Sequence, residues 1–321
     1  MITVRDLSKR FGPKVAVDGV TFDVKKGEVL GFLGPNGAGK STTMRMITGF
    51  FPPSEGTVSI GGFDITENPI AAKCLFGYLP ENAPSYTDMT VRGFLNFAAE
   101  LRGFSGKSRQ SAVDRVVEMC FLGSVLEQSV ETLSKGYKHR VCFAQAIIHD
   151  PEVLIMDEPT EGLDPNQKHE IRTLIRRMGE TKAIIFSTHI LEEVEAACSR
   201  AIIIDRGKIV ANGTPRELKE RSQNAGTVTL CLASAHGAFD GSAAAVRGKI
   251  ESLRHVARTM IVEESPLTIR IFPKVNGAAE ELTTALGQLI VEQRWPIREL
   301  RREEGRLDEV FRSITLSDRE P

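Results

Sequence analysis

Residues 34–42 read Gly-Pro-Asn-Gly-Ala-Gly-Lys-Ser-Thr, two glycines separated by four residues and followed by Lys and Ser. Glycines at 34, 37 and 39 allow successive backbone N–H groups to turn inward around an anion, and a helix starting at this point adds the positive end of its dipole. The spacing points to a phosphate cradle made of Gly34, Asn36, Gly37, Ala38, Gly39, Lys40, Ser41 and Thr42. In it Lys40 reaches the β- and γ-phosphates and the Ser41 hydroxyl holds Mg²⁺. A second group follows far downstream. Asp157 and Glu158 end the apolar run Val153-Leu154-Ile155-Met156, so two carboxylates leave the carboxyl end of a strand, where open α/β sheets bind ligands. Asp157 suits the Mg²⁺ shell, since Mg²⁺ prefers oxygen and keeps several waters. Glu158 suits orienting or deprotonating an attacking water. Thr160 to Pro165 then forms a loop expected to bring Asp164 back toward the site.

The elements that must position these groups follow from apolar period. Val29 to Leu33 reads as a buried strand and Thr42 to Thr48 as a helix ended by Gly49. A Gly-rich surface turn with a solvated lysine would not require strand, loop and helix in this order. Residues 1–33 and 56–62 give short strands of an antiparallel layer, split by Phe11-Gly12-Pro13 and Lys26-Gly27. Val91, Phe94, Leu95, Ala98 and Leu101 recur at helical spacing after Thr90, which predicts an amphipathic helix over 90–102. A helical subdomain is expected over 87–149, with 103–111 a polar connection and Lys138 to Ile148 a helix. Ser134 and Gly136 stand just before that last helix, so a hydroxyl, a backbone N–H and a helix dipole point at one anion. His189 follows the strand Ala183-Ile184-Ile185-Phe186, from which an imidazole reaches a phosphate oxygen. Runs 201–204 and 209–211 flank a turn and read as a hairpin.

With five or six motifs in one order over about Met1 to Arg221, the chain resembles the nucleotide-binding subunit of an ATP-binding-cassette (ABC) transporter. The resemblance implies a P-loop α/β cassette with a RecA-like core, an antiparallel β layer and a helical subdomain. It implies ATP and Mg²⁺ as ligands, and ATP hydrolysis coupled to transport. It assigns Leu133 to Tyr137 to the signature loop, Glu161 to Asp164 to the D-loop, His189 to the switch histidine and Phe11 to the aromatic that stacks on adenine. Lys40, Glu158 and His189 become the catalytic set. Ser134, Gly136 and Asp164 join the nucleotide contacts, and Ser41, Asp157 and Glu81 the metal contacts. It further implies a head-to-tail homodimer or heterodimer, with Ser134 of one subunit over Lys40 of the other, and an integral membrane permease as partner. In the family the region of Asn82 to Thr87 touches that permease. There are three departures from the usual pattern: Lys135-Gly136-Tyr137 replaces Gly-Gly-Gln, Glu81 stands where Gln is usual, and Phe11 replaces Tyr. These variants resemble the exporter branch that includes gliding-motility, drug-export and sodium-efflux ATPases.

Composition sets the bounds. The 321 residues fit two domains at roughly 150 each. A formal net charge of −1 argues against a nucleic-acid partner bound through a basic face. Five cysteines without metal spacing suggest buried, reduced thiols and a cytoplasmic location. No apolar run approaches the roughly 18–20 residues that span a bilayer, so a membrane association would be peripheral, through the permease. A soluble ABC ATPase acting on ribosomes or DNA is the alternative. It is disfavoured by the lack of a second phosphate motif and of long heptads. The expected division is a cassette over 1–221, a linker over 222–226 and an accessory domain over 227–321. In the last, Thr227 to Ala233, 242–254, Thr259 to Val262, Leu267 to Phe272, Ala278 to Arg294 and Ile297 to Arg301 read as βαββαβ. That order suggests a smaller α+β, ferredoxin-like sandwich with a final helix over Leu307 to Ile314.

Overall fold

The computed structural model describes residues 1–81, 86, 88–222, 224–233, 242–274 and 279–316. They form two compact units, Met1–Pro215 and Arg216–Pro321. The first opens with the antiparallel strands β1 (Ile2–Phe11) and β2 (Lys14–Val24), followed by β3 (Glu28–Leu33) and helix α1 (Lys40–Ile47). Next come β4 (Glu55–Ile60), β5 (Phe63–Asp64), α2 (Pro69–Leu75) and β6 (Phe76–Leu79). Helices α3 (Val91–Leu101), α4 (Gly106–Met119) and α5 (Lys135–Ile147) make the helical subdomain. Then β7 (Val153–Asp157), α6 (Pro165–Gly179), β8 (Ala183–Thr188), α7 (Leu191–Ala197), β9 (Arg200–Asp205) and β10 (Lys208–Gly213) complete the series, and the short α8 (Pro215–Lys219) starts at the division between the units.

Two sheets organise this unit. The antiparallel layer runs β2-β1-β4-β5 and the central sheet β10-β9-β3-β8-β7-β6. In the central sheet β9, β3, β8, β7 and β6 are parallel and β10 closes one edge antiparallel. Every residue of β7 and β8 is buried, as strands covered on both faces require. The period of two divides them between two cores. Leu154, Met156, Ile184 and Phe186 face the helical subdomain and α6, whereas Val153, Ile155, Ala183 and Ile185 face α1 and the antiparallel layer.

Helix α3 starts where expected, with the Thr90 hydroxyl accepting from the Gly93 N–H. Leu101 departs from its stripe: it is 71% exposed while Phe94, Leu95 and Ala98 are buried. The polar connection expected over 103–111 is shorter, because α4 already begins at Gly106, with Ser105 and Ser108 forming a reciprocal capping box. Helix α5 begins three residues before Lys138, so Gly136 lies in its first turn and Ser134 is the cap. The cap accepts the Tyr137 N–H, which a Ser followed by a polar turn favours over the later start. Cys74 is exposed and Cys198 partly so, unlike the buried Cys120, Cys142 and Cys231. Of the loop expected to meet a permease, Asn82 to Ser85 and Thr87 lie outside the described residues.

The second unit contains β11 (Val228–Leu232), α9 (Ala243–Glu251), β12 (Val256–Glu264), β13 (Leu267–Pro273), α10 (Ala279–Gln293), β14 (Ile297–Arg302) and α11 (Leu307–Leu316). Its sheet runs β12-β13-β11-β14 with every pairing antiparallel, the order of a ferredoxin-like βαββαβ sandwich. Val228, Leu230, Ile269 and Ile271 pack with Val246 and Ile250 of α9 and Leu282 and Leu286 of α10. The sequence boundary at Arg221 falls later than the division between the units. Ser222 and Asn224, read as linker, both donate to the Glu309 carboxylate of α11.

Candidate functional site

Four neighbouring strands end at one edge of the central sheet, and each delivers part of the site there. The phosphate loop follows β3, His189 follows β8, Asp157 ends β7 with Glu158 next, and Glu81 follows β6. This is the carboxyl edge, where the open parallel sheet leaves a crevice. The resulting cavity, about 420 Å³, is lined by Phe11, Asn36, Gly37, Gly39, Lys40, Ser41, Thr42, Glu81, Glu158 and His189, together with Lys14, Ala16, Pro35 and Glu161.

The loop is built for an anion. Gly39 caps α1 at φ 109°, a conformation open to glycine, and a Cβ there would lie 2.6 Å from the Ala16 carbonyl. Gly34 and Ala38 do not line the cavity but hold the loop: the Gly34 carbonyl accepts from Lys40 Nζ at 2.8 Å, and the Ala38 carbonyl accepts the Gly207 N–H at 2.9 Å. The β9–β10 turn is thus a support that local pattern did not reveal.

Lys40 and Glu158 are 6% and 8% exposed. Their charged atoms stand 3.5 Å apart, and the other Glu158 oxygen lies 3.0 Å from His189 Nδ1. Glu158 sits at φ 49°, in the left-handed region where a non-glycine residue is strained. Its N–H donates to the Ser187 carbonyl and hydroxyl at 3.2 and 3.0 Å, which fixes that backbone. Beneath them Asp157 is fully buried. Its Oδ1 accepts from the Ser41 and Ser187 hydroxyls, while Oδ2 is buried with no hydrogen-bond partner among the described residues. An orphaned carboxylate oxygen beside a P-loop hydroxyl fits a divalent cation. Among the described residues no three His, Cys, Asp or Glu side chains gather into a metal cluster. Phosphate and water would therefore complete the shell.

Phe11 is 49% exposed at the cavity mouth, supported edge-on by Phe51 at 5.8 Å between ring centroids. Lys9 Nζ stands 5.4 and 5.0 Å from the two rings. The ring is therefore a presented surface rather than core.

Ser134, Gly136 and Asp164 are not part of this cavity. Asp164 caps α6, accepting the Gln167 N–H at 2.9 Å, and Glu161 occupies the cavity wall where Asp164 was expected. Sequence reasoning also missed Glu193, 1% exposed. One of its oxygens accepts from the Thr160 hydroxyl and the other from Thr188 at 2.7 Å. It therefore ties the loop after Glu158 to the strand end before His189. The available signal was an acidic residue on the inner side of the helix after His189.

Fold and site together define a P-loop nucleotide-hydrolysing cassette. The ABC transporter family pattern matches residues 17–161. The chain is 33% identical over 98% of its length, and 98% of the relative's, to the Linearmycin resistance ATP-binding protein LnrL of Bacillus subtilis (strain 168). It is 38% identical to the Nod factor export ATP-binding protein I of Burkholderia orbicola (strain AU 1054), over 68% of this chain and 72% of that one. A solved ATP-binding subunit of an ABC transporter superposes with a TM-score of 0.64 at 31% identity, covering 69% of this chain and 92% of that structure. The chain belongs to the ATP-binding proteins of ABC transporters, and it is an ATPase.

Proposed function

We propose that two copies of this chain, or this chain and a related subunit, close head to tail around two ATP·Mg²⁺, and that closure and hydrolysis drive export through a separate membrane permease. The observation that carries the reading is the division of the anion-facing groups. Lys40, Ser41, Glu158 and His189 share one cavity, whereas Ser134 and Gly136 at the start of α5 stand outside it. A second subunit turned head to tail supplies the missing wall, with its Ser134 over Lys40.

In this arrangement Lys40 offsets the β- and γ-phosphate charge, His189 hydrogen-bonds a γ-phosphate oxygen, and Glu158 orients or deprotonates the attacking water. Phe11 stacks on adenine. Ser41, Asp157 and Glu81 would hold Mg²⁺, which when bound offsets the negative charge of the phosphates.

Among the described residues no helix is long and apolar enough to cross a membrane. In this reading a partner supplies the membrane path and this subunit works at the cytoplasmic face. A groove of about 620 Å³ between α3 and α5, lined by Tyr86, Phe94, Phe97, Leu101 and Arg102, supports a docking site for that partner. Both named relatives carry titles of resistance or export, which supports the direction of transport.

Glu158→Gln tests the reading. The substitution keeps shape and hydrogen bonding while removing the base, so hydrolysis slows about a hundredfold or more. ATP binding persists, and size-exclusion chromatography in ATP·Mg²⁺ shows a dimer. A monomer at saturating ATP with near-normal hydrolysis defeats both the base assignment and the sandwich.

A further inference from the structure

The start of α5 and the loop after Glu158 interlock through two glycines. A Cβ on Gly162, which sits at φ 71°, would lie 2.5 Å from both Cε and Nζ of Lys135. The stem of that lysine therefore occupies the space a side chain at 162 would fill. The reverse contact is made by Gln167, whose amide oxygen and nitrogen would lie 2.5 and 2.9 Å from a Cβ on Gly136. Gln167 is itself fixed, because its N–H and side chain close a capping box with Asp164. Each segment thus inserts one side chain into a notch left by a glycine of the other.

Helix stability does not explain Lys135. It is the first residue of α5, a cation at the positive end of the dipole, in a first turn with no acidic residue. One turn on, His139 is buried with neither ring nitrogen hydrogen-bonded among the described residues. Burial, then the Lys135 charge, push its pKa down to about 4 against the opposing pull of Glu161. Lys135 and Glu161 therefore act in opposite directions on one neutral imidazole, and Glu161 is a wall of the nucleotide cavity.

We propose that Lys135 and Gln167 are positioning residues that clasp the start of α5 to the Glu161–Gly162 loop. The half-site a subunit offers to its partner thereby moves with that subunit's own nucleotide cavity. This rests on the two-subunit reading, but the clasp lies within one subunit. Lys135 acts through the packing of its stem in the Gly162 notch.

The test is hydrogen exchange on the full chain, with and without ATP·Mg²⁺, alongside ATPase kinetics. In the unsubstituted protein nucleotide protects 134–140 and 160–167 together. In Lys135→Ala, protection of 134–140 is lost while 160–167 stays protected. ATP affinity remains within about twofold and kcat falls about tenfold. Lys135→Met, which keeps the stem and drops the charge, restores both. Gln167→Ala repeats the Lys135→Ala result from the other notch, should that variant fold poorly. Coupled protection and unchanged kcat in Lys135→Ala overturn the clasp. So does a Lys135→Met variant as impaired as Lys135→Ala, which would place the effect in the charge. The exchange series is repeated on Ser134→Ala, which removes the hydroxyl offered to the partner. Coupling that persists there is internal to the subunit, whether or not the dimer forms. Coupling that vanishes there overturns the proposal.

Discussion

Lys40 Nζ and Glu158 Oε1 stand 3.5 Å apart, and both side chains are more than nine-tenths buried. Without nucleotide, the cation that faces phosphate is partly neutralised by the carboxylate that faces water. A phosphate entering the loop must therefore compete with Glu158 for Lys40. Removing one partner of a buried pair leaves the other charge uncompensated, at about 3–5 kcal/mol. Lys40→Ala is accordingly expected to abolish ATP binding and to lower the melting temperature as well. Calorimetric titration showing unchanged affinity would refute the phosphate role.

Glu81 lines the cavity, at a position where the family resemblance leads one to expect Gln. Ionised, it accepts hydrogen bonds but cannot donate. Glu81→Gln keeps an acceptor oxygen and adds a donor, so ATPase activity is expected to hold or rise. A collapse of turnover at saturating Mg²⁺ would show that the carboxylate charge itself is required.

Glu193 accepts from Thr160 and Thr188 at once. An amide can accept at one end only, so the threonine hydroxyl facing its NH₂ loses the acceptor for its proton. Glu193→Gln is expected to cost about 1–3 kcal/mol of stability. It should also lower kcat more than ATP affinity, since it loosens the loops carrying Glu158 and His189 and leaves the phosphate loop alone. Equal loss of both in steady-state kinetics and binding would contradict that split.

His139 makes stability depend on pH. Its pKa falls from 6.5 to about 4 in the folded chain, through burial first and Lys135 second. Between those values the unfolded chain holds the proton and the folded chain does not, so stability present above pH 6.5 is lost as pH falls toward 4. At about 1.4 kcal/mol per unit, the loss is about 3 kcal/mol. His139→Leu should flatten the slope of denaturation midpoint against pH over that window. An identical slope would place the titration elsewhere, His149 being the next group lowered by burial.

Every residue assigned to phosphate, Mg²⁺ or adenine precedes the division after Pro215. A chain truncated after Ser222 is expected to bind ATP as the full chain does. A folded truncation that fails to bind would bring the second unit into the site.

The chemistry was written locally. Gly34 to Thr42, Asp157-Glu158 and His189 each sit beside an apolar strand, and strand ends in a parallel sheet share one edge. Residue type and chain order therefore indicated most of the cavity's lining and the cassette fold. The period of two and the placement of turns likewise made the βαββαβ order of the second unit legible. What needed tertiary structure were contacts between segments distant in sequence. Glu161 rather than Asp164 lines the cavity, while Asp164 caps α6. Glu193 ties loops that follow two different strands. Gly136 and Gly162 make room for each other's neighbours across a gap no local pattern spans. Periodicity reports which face of an element is buried, whereas the partner it is buried against depends on how the chain returns. The sequence therefore determined which groups are available for the chemistry, and packing decided which groups hold them in place.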